Sequence, residues 1–178
     1  TDVQNKTSVL VPFRNESKNI KACIQSVISQ KTNQEFEIIL INDHSEDDFL
    51  NQIPESEKLT LINLHENEIG KKQAITKGVE LASGNIIVTT DADCIIPKNW
   101  IESISNNFID EKTQMSLGSV YVKENNTIVS LLQSSESLIL GLFTKYGAMS
   151  NSPLLASGAN LAFRKEAFQE VKGFYGNE

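Results

Sequence analysis

The 178-residue chain carries 39% hydrophobic and 22% charged residues, which suits one globular domain and excludes a disordered or low-complexity segment. Its formal charge of −7 argues against a duplex-binding protein, which needs a basic stripe, so no nucleic-acid partner is expected. Two cysteines, Cys23 and Cys94, are too few for a disulfide framework and lack the Cys/His company of a zinc site; no run reaches the roughly 18 apolar residues of a membrane span, and no signal-peptide pattern opens the sequence.

Ser8 to Val11 reads as a buried strand stopped by Pro12, followed by the polar turn Phe13-Arg14-Asn15-Glu16-Ser17. Ser17 is placed to cap a helix in which Ile20, Cys23, Ile24, Val27 and Ile28 recur at helical spacing. Phe36 to Ile41 predicts a second buried strand running into Asn42-Asp43-His44-Ser45, and Asp47 to Ile53 a short helix stopped by Pro54. Leu59 to Leu64 predicts a third strand. Lys71 to Ser83 predicts a helix with Ala74, Ile75, Gly78, Val79 and Ala82 inward and Gly84 as its C-cap. A fourth strand over Asn85 to Thr90 leads into Asp91-Ala92-Asp93. A helix over Asn99 to Ile109, a strand over Met115 to Val122, a long apolar helix over Thr127 to Ala148, a short strand over Leu161 to Phe163 and a helix over Lys165 to Lys172, ended by Gly173, complete the pattern.

Apolar strands followed closely by helices imply βαβ crossovers and a mainly parallel α/β sheet. Ligands in such sheets sit beyond the carboxyl ends of the strands, where the strand order switches direction. Glu16, Asp43 and the Asp91/Asp93 pair each follow the carboxyl end of a different strand, so three acidic clusters converge on one edge. In an Asp-x-Asp both carboxylates leave the chain on one side. Hard Mg²⁺ or Mn²⁺ takes such oxygen ligands, Mg²⁺ with only one or two carboxylates plus phosphates and water. The same three residues also make an ordinary solvated turn before Pro97, and spacing alone leaves both readings open.

Taken together the motifs resemble family-2 inverting glycosyltransferases, whose catalytic domain has the GT-A nucleotide-sugar-binding fold, a Rossmann-like sheet flanked by helices. Val9-Leu10-Val11-Pro12-Phe13-Arg14-Asn15-Glu16 is similar to the family's opening strand, and Ile39-Leu40-Ile41-Asn42-Asp43-His44-Ser45 to its second, commonly Asp-Asp-Gly-Ser. Gly70-Lys71-Lys72-Gln73-Ala74 through Ala82-Ser83-Gly84 resembles the helix before the metal motif, Asp91-Ala92-Asp93 the Asp-x-Asp itself, and Ser157-Gly158-Ala159-Asn160-Leu161-Ala162-Phe163-Arg164 the acceptor-side segment. The resemblance implies a nucleotide-sugar donor, a UDP-sugar favoured, held by Pro12, Glu16, Asp43, Lys72 and Asp91. It implies Mg²⁺ or Mn²⁺ on Asp93, with Asp91 on the ion, its water shell or the ribose, and Gly158, Ala159 and Asn160 near donor sugar and acceptor. The acceptor is expected to be a glycan or a lipid-linked acceptor, and the full-length protein to work at the inner face of the cell membrane in envelope polysaccharide synthesis.

Two departures matter. Asn42 stands where the family has an acid and His44 where it has Gly, so only Asp43 carries over. The family's base, an Asp in an acidic motif beyond the acceptor segment, finds no counterpart after Gly173-Phe174, and it is expected beyond Glu178. Residues 1–95 are thus expected to form the nucleotide-sugar half and 96–178 the start of the acceptor half, with nucleotide binding but little turnover. Glu16 as a helix-terminus carboxylate, Lys71 and Lys72 as solvated residues and Trp100 as a packing anchor are the bland alternatives. Two other functions compete: a nucleotide-binding module without chemistry, and a phosphatase of the haloacid dehalogenase type, which carries its nucleophilic Asp on the opening strand.

Overall fold

The computed structural model describes residues 6–120 and 158–174. In chain order these form β1 (Thr7–Phe13), α1 (Ile20–Ile28), β2 (Phe36–Asn42), a 3₁₀ turn (Leu50–Gln52), β3 (Leu59–Asn63), α2 (Lys71–Leu81), β4 (Ile86–Thr89), α3 (Trp100–Asn107), β5 (Met115–Leu117), β6 (Leu161–Arg164) and α4 (Lys165–Glu170). The strands make one sheet in the order β3-β2-β1-β4-β6-β5. The first four are parallel, with Val9 opposite both Ile38 and Val88. β6 runs antiparallel to β4 and to β5, so the expected mainly parallel sheet acquires an antiparallel edge.

The uninterrupted apolar runs follow from burial on both faces of the sheet. Val9, Val11, Ile38, Leu40, Ile86 and Val88 face α1 and α3, packing with Ile20, Ile24, Ile101 and Phe108. The alternate residues Leu10, Ile39, Ile41 and Ile87 face α2 and meet Ala74, Ile75 and Val79. Alternation of side chains along a strand divides one hydrophobic run between two cores.

Several boundaries differ from the sequence expectation. Ser17 does not cap α1: its backbone N–H donates to Asp47 Oδ2 at 2.7 Å, and a backbone turn closed on the Glu16 carbonyl starts the helix. The helix expected over 47–53 contracts to the 3₁₀ turn at Leu50–Gln52. Gly84 is no left-handed cap, because α2 already ends in the extended Ala82; a Cβ on Gly84 would lie 2.6 Å from both the Lys6 carbonyl and Ser8 Oγ, so glycine is required by close approach. The strand starting at Met115 stops at Leu117, and Gly118 N–H then bonds the Asn160 carbonyl. The helix expected over 127–148, the segment Asn151-Ser152-Pro153 and Glu178 lie outside the described residues. β6, from the second of the two expected halves, is hydrogen-bonded directly to β4 from the first.

Candidate functional site

The chain leaves β1 towards β2 on one side, while β4 takes β1's other side. That is a switch point, where the crossovers diverge and leave a crevice above the carboxyl ends. A cleft of about 260 Å³ lies there, lined by Pro12, Phe13, Arg14, Glu16, Asp43, Lys71, Ala74, Asp91, Ala92 and Asp93. Acidic residues from three strand ends that are remote in sequence thus meet in one cleft.

The loops after β1 and β2 are tied to each other. Asn15 N–H donates to Ser45 Oγ at 2.9 Å, Glu46 N–H to Asn15 Oδ1 at 2.8 Å, and Ser17 N–H to Asp47 Oδ2. Asn42, standing where the family has an acid, is structural: its Nδ2 donates to Asn63 Oδ1 at 2.8 Å and its Oδ1 accepts from Ser45 N–H at 2.9 Å. Next to it, Asp43 is buried; Oδ2 accepts from Gly70 N–H at 3.0 Å and Oδ1 lies 3.0 Å from His44 Nδ1. The carboxylate of Glu16 accepts from Asn19 Nδ2 at 2.9 Å while still lining the cleft.

On the other wall Asp91 Oδ1 is ion-paired with Lys71 Nζ, both partly exposed. Lys71, not Lys72, therefore lines the cleft; Lys72 is exposed on α2. The signal was present in the sequence, because Lys71 is in phase with the inward stripe of Ala74, Ile75 and Gly78 and Lys72 is a step out of it. Arg14, also on the cleft, had been only a turn residue in the sequence. A Cβ on Gly158 would lie 3.2 Å from Lys71 Nζ, so Gly158 borders the Lys71–Asp91 pair. Thr89 Oγ1 holds it there by donating to the Gly158 carbonyl at 2.7 Å.

Asn160, expected near donor sugar and acceptor, has its amide engaged within the fold: Oδ1 accepts from Trp100 Nε1 at 2.9 Å and Nδ2 donates to the Ser119 carbonyl at 3.0 Å. Trp100 is buried by the same contact and serves as a packing anchor. Ala159 is buried beside it.

Among the described residues no three His, Cys, Asp or Glu side chains form a ready-made cage for a metal ion. Asp91 and Asp93 supply hard oxygen donors at one wall of the cleft, a donor set that fits Mg²⁺ or Mn²⁺ completed by diphosphate and water. The thiols do not contribute: burial, then Cys94 and the nearby carboxylates, push Cys23 up to about 12, and burial followed by Asp93 and Asp91 raises Cys94. Both stay protonated near neutral pH, and the thiolate is the ligand and nucleophile.

The sequence of residues 8–172 matches a family model described as glycosyl transferase family 2. The chain belongs to that family. This family-2 chain is 27% identical over 167 residues to poly-beta-1,6-N-acetyl-D-glucosamine synthase of Staphylococcus aureus strain COL, covering 91% of the chain and 40% of that protein. It is 29% identical over 117 residues to glycosyltransferase GlyG of Streptococcus pneumoniae, covering 64% of the chain and 38% of GlyG. Among solved structures it superposes on the mannosyltransferase PcManGT of Pyrobaculum calidifontis, in complex with GDP-Man and Mn²⁺, with a TM-score of 0.69 at 19% identity, covering 97% of the chain and 48% of PcManGT. S. aureus TarS in complex with UDP-GlcNAc gives 0.64 at 20% identity, covering 94% and 47%. The fold is therefore the GT-A glycosyltransferase fold, and the chain spans about 40% of the length of the curated relatives it matches. Among the described residues no helix is long and apolar enough to cross a membrane.

Proposed function

We propose that this chain supplies the nucleotide-sugar site of an inverting glycosyltransferase that moves a sugar from a nucleotide donor, a UDP-sugar by preference, to a glycan or lipid-linked acceptor. The observation that carries the reading is the cleft at the β1/β4 switch point, where Glu16, Asp43, Asp91 and Asp93 face Arg14 and Lys71. Four carboxylates against two cations would repel a diphosphate, so a divalent cation is needed to make the charge balance favourable. The GDP-Man and Mn²⁺ of PcManGT and the UDP-GlcNAc of TarS support the ligand class.

In this reading Asp43 accepts from the base, with Pro12 and Glu16 bounding the nucleoside, and Asp93 with Asp91 holds Mg²⁺ or Mn²⁺. The ion, when bound, would stabilise charge developing on the departing nucleoside diphosphate. Lys71 replaces Lys72 as the cation that reaches the diphosphate, since it is the lysine on the cleft. Gly158 and Ala159 border the donor sugar, and Asn160 fixes their backbone. The division into residues 1–95 and 96–178 remains part of the proposal, as does work at the inner face of the cell membrane; the S. aureus polysaccharide synthase supports the envelope assignment.

Calorimetric titration with UDP and GDP, each with and without Mn²⁺, tests the reading. UDP binding that Mn²⁺ strengthens at least ten-fold, about 1.4 kcal/mol, and that loses this gain in Asp93→Asn, is expected. No binding in any combination overturns it and leaves a nucleotide-type fold serving as a module without chemistry.

A further inference from the structure

We propose that His44 is a positioning residue that aims the Asp43 carboxylate at the nucleobase and so sets base selectivity; this rests on reading the cleft as the nucleotide site. His44 adopts a left-handed backbone with φ of +58°, a conformation that glycine takes freely and a residue with a Cβ takes at a cost. The turn itself makes no demand for histidine, since Asn42 Oδ1 closes it through Ser45 N–H. What histidine adds is the contact of its Nδ1 with Asp43 Oδ1 at 3.0 Å. A strained conformation retained at the edge of a site points to work done by the side chain.

The chemistry of the contact has one direction. An ionised carboxylate only accepts, so the ring donates from Nδ1–H, and in neutral imidazole Nε2 is left as the acceptor. That nitrogen is buried with no hydrogen-bond partner among the described residues, a further cost that favours a function for the ring. Asp43 is then held on two sides, Oδ1 by His44 and Oδ2 by Gly70 N–H at 3.0 Å, while its own N–H donates to the Phe13 carbonyl at 2.9 Å. A carboxylate has about four acceptor sites; with the plane fixed by two donors, the remaining ones have a set direction into the cleft. A ligand that answers them must present an N–H donor at that position: uracil offers its ring N3–H, whereas cytosine N3 is an acceptor that faces the carboxylate unfavourably and its donor sits on the exocyclic N4 instead. His44 does not line the cleft itself, so it acts through Asp43.

The test separates stability from binding. Calorimetry on the 178-residue chain would measure UDP, CDP and inorganic diphosphate, each with Mn²⁺, against the unmodified protein, His44→Gly and His44→Asn, alongside thermal unfolding of each. Glycine relieves the positive φ, so His44→Gly is expected to unfold at the same or a higher temperature, yet to bind UDP at least five-fold more weakly and to lose preference for UDP over CDP. Diphosphate affinity is expected to stay the same. Asn tolerates the left-handed region and carries an N–H donor, so His44→Asn is expected to recover UDP selectivity. UDP affinity and selectivity unchanged in His44→Gly, or lost in parallel with diphosphate affinity, overturn the role of His44. Failure of the unmodified chain to bind any nucleoside diphosphate overturns the cleft reading instead.

Discussion

Lys71 Nζ, in the first turn of α2, is bonded to Asp91 Oδ1 just beyond β4. The pair joins α2 to the turn after β4 through one ionic contact, and both partners are open to water. Exposed pairs of this kind contribute about 0–1 kcal/mol to stability, so the contact matters for what enters the cleft more than for the fold. Lys71→Ala is expected to shift the urea midpoint little while weakening UDP–Mn²⁺ binding about ten-fold. Lys72→Ala should change that affinity less than two-fold. Equal effects of the two variants in the same titration would remove Lys71 from the site.

Asn160 gives a second test, read through the only tryptophan in the chain. Removing its amide leaves the buried Trp100 Nε1–H without its acceptor and frees the Ser119 carbonyl. An orphaned buried donor costs about 1–3 kcal/mol. Asn160→Ala is expected to lower unfolding free energy by that amount and to red-shift Trp100 emission, whereas Asn160→Asp, which keeps the acceptor oxygen, should hold the emission near its original wavelength. Unchanged emission in Asn160→Ala would contradict the clamp.

Acid sensitivity should centre on Glu37. Burial pushes its carboxyl up, but hydrogen bonds from Ser8 Oγ at 2.6 Å, Ser83 N–H at 2.7 Å and Ser83 Oγ at 2.8 Å outweigh that and leave it below the ordinary 4.5. A carboxyl depressed in the folded state contributes stability that is present above its unfolded value and is lost as pH falls through the folded one. Glu37→Gln should therefore be less stable at pH 7, with the gap to the unmodified protein closing as the pH drops below about 4.5. Urea midpoints at pH 7 and pH 3.5 check this; a gap that stays constant would mean that the charge is not what Ser8 and Ser83 hold.

Gly84 and Gly78 make a matched pair of steric tests. A Cβ at Gly84 meets the Lys6 carbonyl and Ser8 N within 2.8 Å, and backbone cannot yield cheaply. At Gly78 the nearest atoms are the ends of the Leu10 side chain at 2.9 and 3.0 Å, and replacing helical glycine recovers roughly 1 kcal/mol of helix propensity. Gly84→Ala is expected to cost about 1–3 kcal/mol and Gly78→Ala clearly less; the reverse order in chemical denaturation would refute the close-approach argument.

The strands were readable in sequence because burial on both faces writes an unbroken apolar run, as in Phe36 to Ile41, and Asp43, Asp91 and Asp93 were readable because they follow such runs. What could not be read depends on contacts between distant segments. Ser17 looked like a cap until Asp47, thirty residues on, took its N–H. That Trp100 and Ser119 engage both ends of the Asn160 amide has no signal in the local sequence. Lys71 and Lys72 differ only in helical phase, which was legible and puts Lys71 on the cleft, whereas the resemblance pointed to Lys72. The antiparallel course of β6 beside β4 is a pairing between segments remote in sequence, and no local pattern encodes it.

The place of β6 has a consequence for how the chain acquires its structure. β4 is flanked by β1, made early, and by β6, made some seventy residues later. A growing chain can pair β1, β2, β3 and β4 through short parallel crossovers, but one side of Ile86, Ile87 and Val88 then waits, unpaired, for Leu161–Arg164. Such an apolar open edge is a template for pairing with other chains, and closing so long a loop is slow. Until β6 arrives, a fully buried strand of the finished fold therefore presents an open edge, and covering that edge is a requirement for folding without association.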